Sequence, residues 1–334
     1  MSASAEQFSN VVGSGVEGTD LRRWTLEVDE GRQRWVYHPA DEVSDQGLAE
    51  LQSVVDRYHL WMDTSEDVPL SNAPPSGPEE AMVRGFDFLS AIITEDGHWA
   101  NDYGGPLFLM PGLIITAYIT GTELGEPVKL EMIRYLTGKQ TEEGGWGLHI
   151  ESPTTMFGTA LNYVSMRILG VPADDTRMAR ARAWMRENGS ALSVPSWGKF
   201  WLAVLGVYEW DGLYPVPPEL WLLPEWLPLH PSRWWFHCRI VYLPMGYLYG
   251  RKAVGPITPL IVALRNELYN APYFSIDWPA ARANICPADY YTPHTTLHRA
   301  LFKSLAAYEA VHSTTLRQAA LDIVLGDAHD ETEI

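Results

Sequence analysis

Tryptophan and tyrosine are the residues in this sequence whose chemistry calls for an explanation. The 334 residues hold 14 Trp and 16 Tyr against 9 Phe, and an indole or phenol carries a π face beside a polar edge. Four uses follow: ring-on-ring packing, cation binding, stacking on a sugar, and seating at a membrane interface. The densest run is Trp234-Trp235-Phe236-His237-Cys238, with Trp221 and Trp226 upstream and Tyr242 one helical turn downstream. Taken singly, a Trp in a helical protein reads as core, His237 as a hydrogen-bonded core histidine and Cys238 as a small buried hydrophobe. His294 and His298 stand four apart, but Thr295 occupies the place of a zinc-protease glutamate and no third ligand follows, so no metal site is expected. There is no Walker sequence and no GxGxxG after a strand, and no cofactor is expected.

Composition narrows the class. Against 24 Lys+Arg stand 42 Asp+Glu, a formal net charge of −18, which argues against nucleic acid as a partner because phosphate binding needs a basic face. Hydrophobic residues at 46% and charged residues at 20% exclude disorder throughout. Two cysteines, Cys238 and Cys286, make no disulfide framework and fit a reducing compartment. The opening MSASAEQFSNVVGSG has neither a basic nor an apolar signal region. No stretch reaches the ~18 apolar residues of a spanning helix.

The elements that must position these residues are helical. Residues 1–23 read as an irregular tail, 24–78 as an N-terminal segment and linker ending in the Pro-rich VPLSNAPPSGPEE, 79–312 as one helical domain, and 313–334 as an acidic end. Thr25 to Tyr37 reads as extended and Asp41 to Trp61 has helical apolar spacing. Further helices are expected over Glu79–Ile93, Leu107–Thr120, Val128–Lys139, Met156–Leu169, Arg177–Glu187, Trp197–Tyr208, Thr258–Leu268 and Pro293–His312. Gly121, Gly170 and Gly206 fall where left-handed C-caps belong, and Thr292-Pro293 reads as an N-cap with proline after it.

Two stretches repeat. Phe88-Leu89, Ile93 and Asp96-Gly97-His98-Trp99 superimpose on Tyr135-Leu136, Gln140 and Glu143-Gly144-Gly145-Trp146, at a constant offset of 47 residues. A worn third copy begins at Trp184-Met185. Helix–loop–helix units at this period stack to bury a shared core, either as a closed toroid or as an open solenoid. In such units Trp99 and Trp146 read as staples rather than ligands.

These residues resemble the QW repeat of the triterpene cyclases, with Ile93 standing where Gln is expected and the leading Lys/Arg-Gly missing from the second copy. The strings DGHWANDYGGPLFLMPG (96–112), SWGKFWLAVLGVYEWDG (196–212) and PPELWLLPEWLPLHPSRWWFHCRIVYLPMGYLYG (217–250) are similar to eukaryotic oxidosqualene cyclases of the lanosterol-synthase kind. The resemblance runs from about residue 19 to about 312. It implies an all-α fold, an α/α barrel of QW-type helix pairs, and cyclisation of 2,3-oxidosqualene to lanosterol or a related skeleton through carbocations. Aromatic faces suit that chemistry, since they stabilise positive charge without attacking it.

Residue by residue, the resemblance places Trp197, Trp235 and His237 in the substrate cavity, with the imidazole directing late steps and deprotonation. Tyr103 would press on the folding polyene. Cys238 and Tyr242 would stand at the constriction of the substrate channel. Phe236 departs from the small or thiol side chain usual between the Trp and the His. Trp221, Leu222, Leu223, Trp226 and Leu227 form a short Pro-bounded apolar segment that reads as membrane-facing. The resemblance implies a monotopic seat on the endoplasmic reticulum membrane, with the lipid droplet as a second location. The family's proton donor lies in an Asp-Cys-Thr-Ala motif that does not occur here, nor does Asp-x-Asp-Asp. The expectation is an N-terminal barrel that acts with a C-terminal one and is inactive alone. The alternative is a short non-catalytic lipid- or partner-binding module, or a decayed remnant.

Overall fold

The computed structural model describes residues 18–64, 67–68, 73–101, 104–228, 230–292 and 295–332, with side chains to residue 326. Two compact units emerge: residues 1–104 with 124–138, and residues 105–123 with 139–334.

The first unit opens with an antiparallel hairpin, β1 (Trp24–Asp29) and β2 (Arg32–Tyr37), in the register Trp24↔Tyr37 to Asp29↔Arg32. Its two-residue turn, Glu30-Gly31, has φ of 47° and 80°, the positive pair that matches the right-handed twist of the strands. The apolar spacing after Asp41 yields two short helices, α1 (Asp45–Leu51) and α2 (Val54–His59). They separate because Ser53 starts a new capping box with Asp56. Asp56 is buried and also takes the Leu26 backbone N–H, tying α2 to the hairpin. Helix α3 (Pro78–Ala91) buries none of its residues, and Met82, Phe86 and Leu89 form an exposed apolar stripe. Helix α5 (Glu126–Gly138) completes the unit, with Glu131 accepting from Thr19 N and Oγ1 at 2.7 and 2.6 Å.

The second unit is helical: α4 (Met110–Thr120), α6 (Met156–Ile168), α7 (Thr176–Glu187), α8 (Ser196–Leu205), α9 (Phe236–Arg251), α10 (Pro259–Glu267), the single turn α11 (Trp278–Ala281), α12 (Thr296–Val311) and α13 (Thr314–Thr332). Its centre is α6, buried without a break from Met156 to Met166 and packed by α4, α7 and α8. Gly121 and Gly206 cap α4 and α8 at φ of 70° and 89°, as the sequence predicts. Mostly helical character is borne out.

Several elements depart from the sequence reading. Helix α12 starts after Thr295, whose side chain accepts from His298 N at 3.2 Å, not at Thr292. Pro293 and His294 lie outside the described residues. Helix α9 was not expected, because Pro244 in its interior hides the helical spacing. The acidic end is also helical as α13, with Arg317, Ala320, Leu321 and Val324 buried.

The repeat is visible as a hydrogen-bond pattern. Thr94 N donates to His98 O at 2.9 Å and Gly97 N to Thr94 O at 3.0 Å; Thr141 N donates to Gly145 O and Gly144 N to Thr141 O at the same distances. Gly97 and Gly144 both have positive φ, 85° and 98°. Gln140 adds what Ile93 lacks: its amide donates to Gly144 O at 2.6 Å and to Arg177 O at 2.9 Å, joining loop to α7. Trp146 is wholly buried, whereas Trp99 is half exposed with its indole N–H on Leu89 O at 2.8 Å.

Candidate functional site

Helix α8 carries the site's central wall. Trp197 and Trp201 stand four residues apart and therefore on one face; Lys199 points the other way. Two apolar cavities share the two indoles. The first, about 420 Å3, lies between the start of α4 (Phe108, Leu109, Gly112), Trp197 and Trp201, and the Asp289–Tyr291 loop. The second, about 460 Å3, lies between α4, α8 and the face of α9 formed by Ile240, Val241, Pro244 and Leu248. Both are almost free of polar atoms.

The polar groups on the surrounding elements are engaged elsewhere. Lys199, 1% exposed, donates to the carbonyls of Ala281, Arg282 and Asn284 at 2.8, 3.0 and 2.9 Å. Burial pulls its amine down to about 7. Asp289 is buried at the edge of the first cavity, where its oxygens accept from Met156 N at 2.7 Å and Phe157 N at 3.0 Å at the start of α6. Burial pushes its carboxyl up and the two N–H donors pull it back. Tyr242 donates to Pro217 O at 2.6 Å and packs edge-on against Trp234 at 4.7 Å. Burial pushes its phenol well above the ordinary range.

Of the residues singled out in the sequence, Trp197 borders both cavities. Trp235 caps α9 and is 71% exposed, with its ring 4.6 Å from that of His237, which is also exposed. His237 falls on the α9 face that bears Ile240, Val241 and Pro244, while Cys238 and Tyr242 fall on the neighbouring face. Cys238 is exposed. Tyr103 lies outside the described residues. In the apolar segment, Trp226 is 72% exposed; Trp221, Leu222, Leu223 and Leu227 are half-buried, with Trp221 packed edge-on to His230 at 5.9 Å. No described helix is long and apolar enough to cross a membrane, and no group of three or more His, Cys, Asp or Glu among the described residues could hold a metal ion.

Sequence reasoning missed Trp201, Asp289 and Lys199. Trp201 was within reach, since it follows Trp197 at helical spacing in SWGKFW. Asp289 and Lys199 were not, because their partners stand 132 and 82 residues away in the chain.

The family model for the squalene-hopene cyclase N-terminal domain matches residues 83–325, a span that contains α8, α9 and both cavities. The chain belongs to this family. Among curated relatives of this chain, lanosterol synthase of Mus musculus is 48% identical over 92% of the chain and 41% of the relative. Cycloartenol synthase of Dictyostelium discoideum is 47% identical over 93% and 44%. Protostadienol synthase A of Neosartorya fischeri is 43% identical over 98% and 43%. The chain thus spans less than half the length of the curated relatives it matches.

Proposed function

We propose that this chain supplies the N-terminal α/α barrel of an oxidosqualene cyclase, which converts 2,3-oxidosqualene to lanosterol or a related triterpene skeleton. The observation that carries the reading is the pair of apolar cavities sharing Trp197 and Trp201, in a chain 42–48% identical to synthases of sterol and triterpene skeletons. An acid outside these 334 residues protonates the epoxide oxygen; the C–O bond breaks, and successive alkenes attack the resulting cation to close the rings. Indole faces at Trp197 and Trp235 stabilise the moving charge, by ~0.5–2 kcal/mol per desolvated contact. His237 serves the late steps and final proton loss, and Tyr103 presses on the polyene. Cys238 and Tyr242 border the entry channel.

Two exposed surfaces accord with this reading. Trp235 and Phe236, adjacent at the start of α9, present large apolar side chains to solvent, a surface a second barrel would cover. Trp226 stands out from a segment rich in Leu and Pro, which suits a monotopic seat on one leaflet of the endoplasmic reticulum membrane or on a lipid droplet.

The test is to express residues 1–334 and, separately, the full-length natural chain that contains them, and to supply each with 2,3-oxidosqualene. Cyclised product from the full-length chain and none from residues 1–334 is expected. No product from either overturns the catalytic reading and leaves a lipid-binding module. Product from residues 1–334 alone overturns the assignment of the acid to another part of the protein.

A further inference from the structure

Trp201 lies where the two cavities meet, and its position is set by a glycine. A Cβ built on Gly112 of α4 would stand 3.1 Å from Trp201 Cζ2 and 3.5 Å from Cη2. The benzo edge of the indole therefore rests directly on the α4 backbone. Gly112 and Trp201 both line the first cavity, and Trp201 also lines the second. Displacement of this ring changes the shape of both cavities, because the same indole lines each. Gly112 has no need of unusual backbone: it sits in the first turn of α4 without a positive φ. Its missing side chain is explained by the approach of Trp201.

We propose that Trp201 is a specificity-determining residue of the cyclisation, and that Gly112 is the positioning residue that fixes how far its indole stands into the cavities. This rests on the functional reading above. A polyene folded against this wall must match its depth, and a change of a few tenths of an ångström selects among folded conformers and so among products. Discrimination by apolar shape at the scale of one methylene is worth roughly 10–200-fold in enzyme pockets.

The experiment uses the full-length natural chain, supplied with 2,3-oxidosqualene, with products separated by gas chromatography and mass spectrometry. Gly112→Ala should fold, since Ala is the better helix former by about 1 kcal/mol. It pushes the indole off α4 and should change the ratio of main to minor cyclised products by about tenfold, the low end of that range. Trp201→Phe removes the benzo edge and should also change the ratio. In the Trp201→Phe background, Gly112→Ala meets no indole, so the double variant should reproduce the Trp201→Phe profile. A productive parent whose profile is unchanged by Gly112→Ala or by Trp201→Phe overturns the inference alone, as does a double variant in which the two effects simply add. A parent that makes no cyclised product overturns the functional reading, and this inference with it.

Discussion

Asp289 is the residue whose removal tests the structural reasoning most directly. Its carboxylate holds the first two free N–H groups of α6, those of Met156 and Phe157, at 2.7 and 3.0 Å. Thr155 caps the same helix by accepting from Gly158 N at 3.0 Å, so the two side chains divide the orphan donors between them. In Asp289→Ala, two buried N–H groups lose their partner, each worth about 1–3 kcal/mol, and the helix loses a favourable negative charge worth roughly 0.3–1 kcal/mol. Relief of the carboxylate's own burial offsets part of this, since burial raises its pKa. A net loss of about 2–3 kcal/mol remains, or ~30- to 150-fold in a local opening equilibrium. Hydrogen–deuterium exchange of the Met156 and Phe157 amides reads that loss locally, independent of how the rest of the chain unfolds. Asp289→Asn keeps one acceptor and turns an NH2 towards the other donor, so about half the loss is expected. The pH dependence has a defined sign. Because burial raises the folded pKa, ionisation of Asp289 itself costs folding free energy, so stability is greatest below the unfolded value near 3.8 and declines as pH climbs through the folded value. Exchange that changes by less than about threefold in Asp289→Ala would refute the capping argument.

Three further outcomes are expected. Trp146→Ala, at a wholly buried site, should lower stability by about 3–5 kcal/mol, whereas Trp99→Ala at its half-exposed repeat position should lose well under half of that; comparable shifts in thermal unfolding would show that the repeat positions are packed alike. Arg317 links Glu219 and Glu309 at 2.6 and 2.8 Å with its side chain 7% exposed, so Arg317→Met should cost about 3–5 kcal/mol by removing the cation beside Glu219 and leaving Glu309 with Lys252 alone. Arg317 and Lys252 hold the Glu309 carboxyl down at about 2 against burial, and the stability it supplies should be intact above pH 4.5 and disappear as pH falls towards 2. An acid titration of unfolding that is identical in Glu309→Gln contradicts this. On the proposed function, Trp235→Ala and His237→Ala in the full-length chain should each alter the product profile; two unchanged profiles would refute their assignment to the substrate cavity.

Helices were legible where one apolar face recurs and a cap closes the run. For α6, Thr155 opens a stretch that Gly170 follows, and the reading fell within one residue of Met156–Ile168. Legibility failed where a residue is used against its propensity. Pro244 sits inside α9, and Lys252 closes that helix in the left-handed region at φ 49°, a position glycine usually takes. Lys252 reaches Glu309 at 3.0 Å and lies 3.3 Å from the Tyr249 ring centre. These contacts hold the conformation, and the one to α12 is invisible in local sequence. For the candidate site, the aromatic strings pointed to α8 and α9 through a resemblance. The pairing of Trp201 with Gly112 across 89 positions is a matter of tertiary approach, which spacing does not encode.

The same distinction explains how a cavity so poor in polar atoms can be built from segments that contain Lys199, Asp289 and Tyr242. Each of these side chains bonds backbone: three carbonyls for Lys199, two N–H groups for Asp289, one carbonyl for Tyr242. A polar group whose lone pairs or protons are already engaged by fixed backbone is a poor nucleophile or base towards anything bound nearby, and leaving it unmatched would itself be costly. Lys199 and Tyr242 thus brace the helices away from the cavity lining, and Asp289, at the edge of the first cavity, has its oxygens on the α6 backbone, while Trp197 and Trp201 face the space. An enzyme that guides a carbocation needs that division, because a lysine amine or an ionised carboxylate free to turn into the cavity would capture the cation before the rings close. On this argument Lys199→Met should disturb the 281–284 turn and the stability of α8, yet leave the chemical character of both cavities unchanged.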